Sequence, residues 1–342
     1  MHTITDTSLI SQTWDNEVLA YVAAIYKEAG KTELYVQHHG DALEKLVPPA
    51  RLQSTVASES LAGLTTSNSR VLHLVTGQIE PRNLDERELM GYYAVIPLMT
   101  QDLPGWRISK KYIVNLHKAL YSYTHNPVAG LTKTGLHAIT DTAGAEIFLP
   151  VTPYETPKAL DDLCAAYTAV HGQVNPLVAI SAFLCDFLSI HPFDDGNGRV
   201  SRLLLSRLLW DQDFCVGKYI SLEEKLRQTQ AEHDAALRQA QQGWHEGTND
   251  TTPYVKYMLH TLLSAYEDLN ARCATMGEKL PAIETIRSAV AQRQGDFKKR
   301  DIMEMCPALS LSTVEGALRE LVRTGEIERY GVGRAITYRK TM

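Results

Sequence analysis

Apolar residues recur at helical spacing over 14–30, 41–63, 86–100, 108–124, 157–170, 175–190, 199–211, 221–242 and 253–274. Each stretch predicts a helix with an apolar stripe that packs on its neighbours. "NPLVAISAFLCDFLSI" (175–190) is apolar on almost every face, so it predicts a helix surrounded by others. One interval breaks the pattern: "LTKTGLHAITDTAGAEIFLPV" (131–151) sets Leu136, Ala138 and Ile147 in a β-compatible run around "DTAG", which predicts a hairpin. A hairpin inside a helical body either pads a core or presents an edge.

After "TMGEKLP" (275–281), which reads as a linker, the pattern changes. "PAIETIRSAVAQRQG" predicts one helix, "KKRDIMEMCPAL" a second stopped by Pro307, and "SLSTVEGALRELVRTG" a third. Ser310 or Ser312 is its N-cap and Gly325 its C-cap. "EIERYGVGRAITYRK" then alternates on either side of "GVG", as a hairpin does. Helix, helix, turn, helix and a two-stranded wing resemble a winged helix-turn-helix module. The expected fold class is therefore mainly α, a helical bundle with a β-hairpin followed by this C-terminal module.

Composition narrows the setting. With 44% hydrophobic and 22% charged residues among 342, the chain has the make-up of an ordinary soluble protein. No apolar run reaches the ~18 residues a membrane span needs, so no membrane partner is expected. The opening "MHTITDTSLISQTWDNE" lacks the basic and apolar blocks of a signal peptide. Cys164, Cys185, Cys215, Cys273 and Cys306 are scattered, without a C-x-x-C, which fits a reducing cytoplasm and neither a zinc site nor a disulfide frame. From Ala282 onward 11 Lys and Arg face 8 Asp and Glu, a balance of +3, which leaves −9 on the rest of a chain of net charge −6. A mildly basic tail on an acidic body hints at separate partners.

Between the apolar stretches 175–190 and 199–211 lies the polar segment "HPFDDGNGRVSR" (191–202). Gly196, Asn197 and Gly198 break the helical pattern, so the segment is a loop that hands over to a helix near Arg199. A helix N-terminus has unpaired N–H groups and the positive end of its dipole, both suited to an anion. Glycines on both sides of Asn197 let backbone approach that anion closely. Arg199 and Arg202 add positive charge, so the loop suits phosphates. Asp195 suits such a place only with a cation between, and Mg2+ commonly takes one or two carboxylates plus phosphate oxygens. His191, directly after a helix, has the proton affinity to take a proton from a hydroxyl. Together these are the parts for transferring a phosphorus group to a hydroxyl.

The segment matches, at every specified position, the H-P-F-x-[D/E]-G-N-G-R-x-x-R signature of the Fic family, which the chain resembles over roughly 85–275. "LHKAL" (116–120) and "IFLPVTPYETPKALDDL" (147–163) add to the resemblance. It implies a Fic-type helical bundle and transfer of AMP from ATP to a hydroxyl side chain of a target protein, or of the chain itself, with Mg2+ bound and diphosphate leaving. His191 would be the base, Phe193 the anchor of the loop and Asp195 the metal ligand. Gly196, Asn197 and Gly198 would cradle the α- and β-phosphates, Arg199 would steady the leaving diphosphate and Arg202 would reach the γ-phosphate. Gly198 argues against the kinase-like relatives. The hairpin 131–151 resembles the family's flap, whose edge would pair with an extended segment of the target.

Three places depart from the family's pattern. Many relatives carry an inhibitory helix, [S/T]-x-x-x-E-[G/N], and "VASESLAGLTTSNSRV" (56–71) resembles it, with the segment proper at 55–66. In the favoured register Ser58 takes the serine position and Ala62 the glutamate position, which implies an enzyme not inhibited by this route. In the other register Glu59 keeps the carboxylate. Past the motif, "TQAEHDAAL" (229–237) places Thr229, His233 and Asp234 where relatives often have N-x-x-x-Y-Y, so the choice of base is open. His233 would either stack on a base or be a half-exposed polar residue. Leu184 replaces a histidine that precedes the motif in many relatives.

The chain is thus expected to divide into an N-terminal helical region (1–84), a catalytic core (85–275) and the winged-helix module (276–342). In the module, Thr313, Arg319, Arg323, Arg329 and Arg334 would face DNA if Ser310–Thr324 enters a groove. Glu315 and Glu320 on the same helix leave protein docking or homodimer formation equally open. The rival to an AMP transferase is therefore a DNA-binding transcription regulator whose Fic body senses nucleotide.

Overall fold

Helical periodicity in the sequence becomes helix almost throughout the computed structural model, which describes residues 8–64, 68–140, 146–277, 282–291, 293, 295–307, 309–331, 333 and 336–341. The chain divides into two units, Met1–Ala29 with Ala50–Tyr266, and Gly30–Pro49 with Glu267–Met342. This differs from the three consecutive segments expected, because the boundaries fall inside helices and not at the linker. After α1 (Ser8–Ser11), α2 (Asn16–Glu44) outruns its apolar stretch, and from Gly30 it belongs to the second unit. The long helix Thr252–Gly277 likewise joins that unit from Glu267. There the buried Thr32 hydroxyl donates to Asn270 Oδ1 at 2.8 Å.

The first unit continues with α3 (Val47–Leu61), α4 (Asn68–Val75) and α5 (Leu84–Val95), the last capped by the Asn83 side chain. Pro97 tightens the next turn into a 3₁₀ helix, Ile96–Thr100. Ser109 caps α6 (Lys110–Leu120), and after the hairpin come α7 (Thr156–Val170) and α8 (Pro176–Ile190). As its composition predicts, α8 is buried at every residue from Leu177 to Ile190, with Pro176 at its first position and Asn175 as cap. Helices α7 and α9 (Asn197–Asp211) pack on it. The stretch 221–242 is not one helix: after α10 (Val216–Tyr219) it splits into α11 (Leu222–Gln228) and α12 (Gln230–Ala240). The break falls at Thr229, whose hydroxyl bonds back to the Lys225 carbonyl at 3.0 Å. Helix α13 (Thr252–Gly277) follows.

The hairpin pairs β1 (Ile139–Thr140) with β2 (Glu146–Phe148), antiparallel, with Ile139 opposite Phe148. Its "DTAG" turn lies outside the described residues. Phe148 is buried, with its ring centroid 6.0 Å from Trp244, so the hairpin pads the core, while Thr140 and Glu146 are exposed.

In the second unit, α14 (Ala282–Ala291), α15 (Lys299–Met305) and α16 (Leu311–Arg323) enclose a core that includes Ile286, Phe297, Ile302, Val314, Leu318 and Ile327. Ser310, not Ser312, caps α16 by accepting from the Thr313 N–H, and Gly325 follows with φ +75°. Strands β3 (Ile327–Tyr330) and β4 (Thr337–Lys340) pair antiparallel, and Phe297 bridges to Tyr338. Cys164, Cys185, Cys273 and Cys306 are buried free thiols and Cys215 is half-buried. Among the described residues no helix is long and apolar enough to cross a membrane.

Candidate active site

Where α8 ends, the chain turns through His191 in the left-handed region (φ +49°), a conformation that costs a residue with a side chain about 1 kcal/mol. The turn is held from outside. Lys133, buried at the base of the hairpin, donates its ammonium to the Ile190 carbonyl at 2.8 Å and its N–H to the Pro192 carbonyl at 2.8 Å. Burial brings the Lys133 pKa down to about 8, although the Asp194 carboxylate opposes the shift. Asp194 in turn accepts from the Thr134 N–H at 3.2 Å. Burial, and after it the Lys133 charge, depress His191 to about 4, so its imidazole is neutral at pH 7. The buried Nδ1 has no hydrogen-bond partner, and the Leu188 carbonyl is the backbone group that favours a proton on the ring.

Phe193 fixes the loop to the core by stacking flat on His117, 3.8 Å between centroids. His117 Nδ1 accepts from the Gly130 N–H at 2.9 Å, so its Nε2 carries the proton and donates to the Asp195 carbonyl at 3.1 Å. Asn197 closes the loop on itself: its side chain accepts from the Phe193 N–H at 2.9 Å and donates to the Phe193 carbonyl at 2.8 Å. Gly196 begins α9 with φ +83°, and a β-carbon there would come within 2.9 Å of the Tyr121 hydroxyl. Glycine is required at this position on both counts.

Charge converges on the first turn of α9. Asp195 Oδ2 accepts from the Tyr121 hydroxyl and from Arg199 Nη2, each at 2.8 Å. Burial works to raise its pKa, but Arg199 and these hydrogen bonds hold the carboxyl below its usual range. Its side chain stays 68% exposed, open to a cation. Arg199 is buried, paired with Glu88 as well as Asp195, and its Nη1 lies 3.7 Å from Glu59 Oε2. Both Glu59 oxygens are buried without a hydrogen-bond partner, and burial pushes this carboxyl up to about 7 against the pull of Arg199 and Arg202. Arg202 reaches α3 instead: Ser58 Oγ accepts from its Nε at 3.0 Å and from its Nη2 at 2.9 Å, and the Ser58 carbonyl accepts from Nη2 at 3.0 Å.

A cavity of about 190 Å³ adjoins this turn, lined by Gly198, Ser201 and Arg202 and by apolar walls that include Leu61, Leu184 and Leu205. A neutral imidazole, an anion-binding helix start with two arginines, an accessible carboxylate and an apolar hollow can together hold a nucleotide and deprotonate a hydroxyl.

The model of the Fic/DOC family matches residues 107–209, the span from before α6 to near the end of α9. The chain carries a Fic domain. A Fido domain-containing protein of Dictyostelium discoideum is 29% identical over 132 residues, covering 37% of this chain and 83% of that protein. A Fic family protein from Desulfovibrio desulfuricans has the same fold, with a TM-score of 0.63 at 20% identity over 96% of this chain and 97% of its own. A Fic domain-containing signaling protein from Bacteroides thetaiotaomicron gives 0.62 at 20% identity, covering 75% of this chain and 98% of its own. Fic-1 from C. elegans gives 0.59 at 19% identity, covering 76% of this chain and 74% of its own.

Within the Fic domain the fold gathers His191, Phe193, Asp195, Gly196, Asn197, Gly198, Arg199 and Arg202 around one helix start. Ala62 lies exposed just past the end of α3, Arg202 is met by Ser58, and Glu59 faces Arg199. His233 lines the cavity, whereas Thr229 does not and is bonded to the Tyr257 hydroxyl at 2.8 Å. Sequence reasoning missed Glu88, Tyr121 and Lys133. Tyr121 sits four residues after His117, an available signal of a shared polar face. Glu88 and Lys133 look in sequence like any solvated charge. In the second unit, Thr313 bonds Ser310 at 2.7 Å, Arg319 Nε donates to the Glu315 carbonyl at 3.2 Å and Arg323 pairs with Glu320 at 2.5 Å. Arg334 lies outside the described residues.

Proposed function

We propose that the Fic domain transfers AMP from ATP to a hydroxyl side chain of a target protein, or of the chain itself. The observation that carries this reading is the neutral His191 held against the phosphate-ready start of α9. His191 takes the proton as the hydroxyl oxygen bonds to the α-phosphorus; the bond to the β-phosphate oxygen breaks and diphosphate leaves with that electron pair. The N–H groups of the first turn of α9, with Arg199, balance the charge that develops on the phosphates. Asp195 fits Mg2+, since a partly exposed, ionised carboxylate is the hard oxygen donor this ion takes alongside nucleotide phosphates. Mg2+ would supply charge neutralisation at the phosphate oxygens. The hairpin at 131–151 would hold an extended segment of the target, and Lys133 supports this role by tying its base to the residues on either side of His191.

For 282–341 we propose a winged-helix module, supported by the order α14, bridge, α15, α16, hairpin. Because Arg319 and Arg323 turn to groups of their own helix, protein docking has more support than DNA binding. Intact-mass and peptide mass spectrometry after incubation with Mg2+ and ATP test the main reading. The expected product carries the mass of AMP on Ser, Thr or Tyr and is absent with His191→Ala. Addition of a phosphate mass alone contradicts it.

A further inference from the structure

The cavity beside the phosphate turn has apolar walls and one polar face. Leu184, Leu188, Leu205 and Met258 suit a flat ring. Opposed in character, Gln230, His233 and Asp234 share one face of α12 at i, i+3 and i+4 and line the same cavity with Tyr254. The direction of their hydrogen bonds follows from what each atom can do. Asp234 Oδ1 lies 2.9 Å from His233 Nδ1, and the buried Tyr254 hydroxyl lies 3.4 Å from His233 Nε2. An ionised carboxylate only accepts, so Nδ1 carries the imidazole proton and donates to Asp234. Nε2 is then left to accept from Tyr254. Donation runs from Tyr254 through His233 to Asp234 and stops there. With its side chain 53% exposed, Asp234 keeps acceptor positions for whatever enters.

We propose that Asp234 reads the base, and that it selects bases carrying an exocyclic amino group. This rests on the reading of the cavity as the nucleoside end of an AMP-transfer site. An amino group would donate to the carboxylate that His233 already orients, and the Gln230 amide, one turn earlier, can either donate to or accept from the neighbouring ring nitrogen. A base edge without N–H would strip water from the carboxylate and return nothing.

The test is equilibrium binding, with Mg2+, of ATP and of purine riboside triphosphate, which has hydrogen in place of the amino group. The protein is the full chain bearing His191→Ala, so that no turnover occurs. A hydrogen bond to a charged, half-exposed acceptor should make ATP bind about tenfold more tightly. Adding Asp234→Ala should erase that difference. Equal binding of the two nucleotides without the Asp234 change, or a preference that survives it, overturns the base-reading role and leaves AMP transfer standing. Binding of neither nucleotide overturns both.

Discussion

Glu59 is the residue whose state matters most beyond the motif itself. It is buried beside Arg199 with no hydrogen bond to either oxygen, and its pKa rises from 4.5 to about 7. Between those values the folded chain holds a proton that the unfolded chain has released. The folded state is therefore favoured below pH 4.5, and that advantage is lost as pH rises through about 7. Above that range the ionised, buried carboxylate costs roughly 3 kcal/mol. Glu59→Gln mimics the protonated form. Thermal melts should show the variant more stable than the parent at about pH 8 and level with it near pH 4, the gap opening between those limits. Equal melting temperatures at about pH 8 would mean the carboxylate is better solvated than its burial implies.

At the scale of elements, the helices were legible wherever one face or all faces were apolar, as for α8, and the glycines marked the loop after it, although α9 begins at Asn197, two residues before Arg199. What the sequence hid depends on which turn meets which. Glu88 on α5 and Lys133 before β1 read as surface charges until α9 and the His191 turn are set against them. The split of 221–242 turned on one threonine hydroxyl at Thr229, which periodicity does not register. Two elements can be tested apart. Lys133→Ala frees the hairpin base from the His191 turn, so the rate of transfer to protein should fall about 10- to 100-fold while nucleotide binding changes little. A proportional loss of both in a binding and rate comparison would place Lys133 in general folding. Ser58→Ala removes two of the three hydrogen bonds that hold Arg202 to α3, and ATP should then bind about fivefold more tightly by titration. Weaker binding would show that Ser58 orients Arg202 for the nucleotide and does not hold it back.

Over the whole molecule, a tail of charge +3 had suggested a second, nucleic-acid partner. Several of its cations sit in local pairs, Lys299 with Glu315, Arg323 with Glu320 and Arg339 with Asp296. Cations already paired release few counterions from DNA. Fluorescence anisotropy with a random duplex should accordingly give a Kd no tighter than about 10⁻⁶ M at physiological salt, with a shallow salt slope. Tight, steeply salt-dependent binding, weakened by Arg319→Ala with Arg323→Ala, would favour the regulator reading. The central claim concerns the first unit and the bond that breaks. It is tested most directly by incubating the full chain with Mg2+ and ATP radiolabelled on either the α- or the γ-phosphate, with cell lysate as a source of targets and His191→Ala alongside. Label should enter protein from the α-position only, and the variant should lose it by about 10²–10⁴-fold. Label from the γ-position, or α-label undiminished in the variant, would contradict AMP transfer by His191.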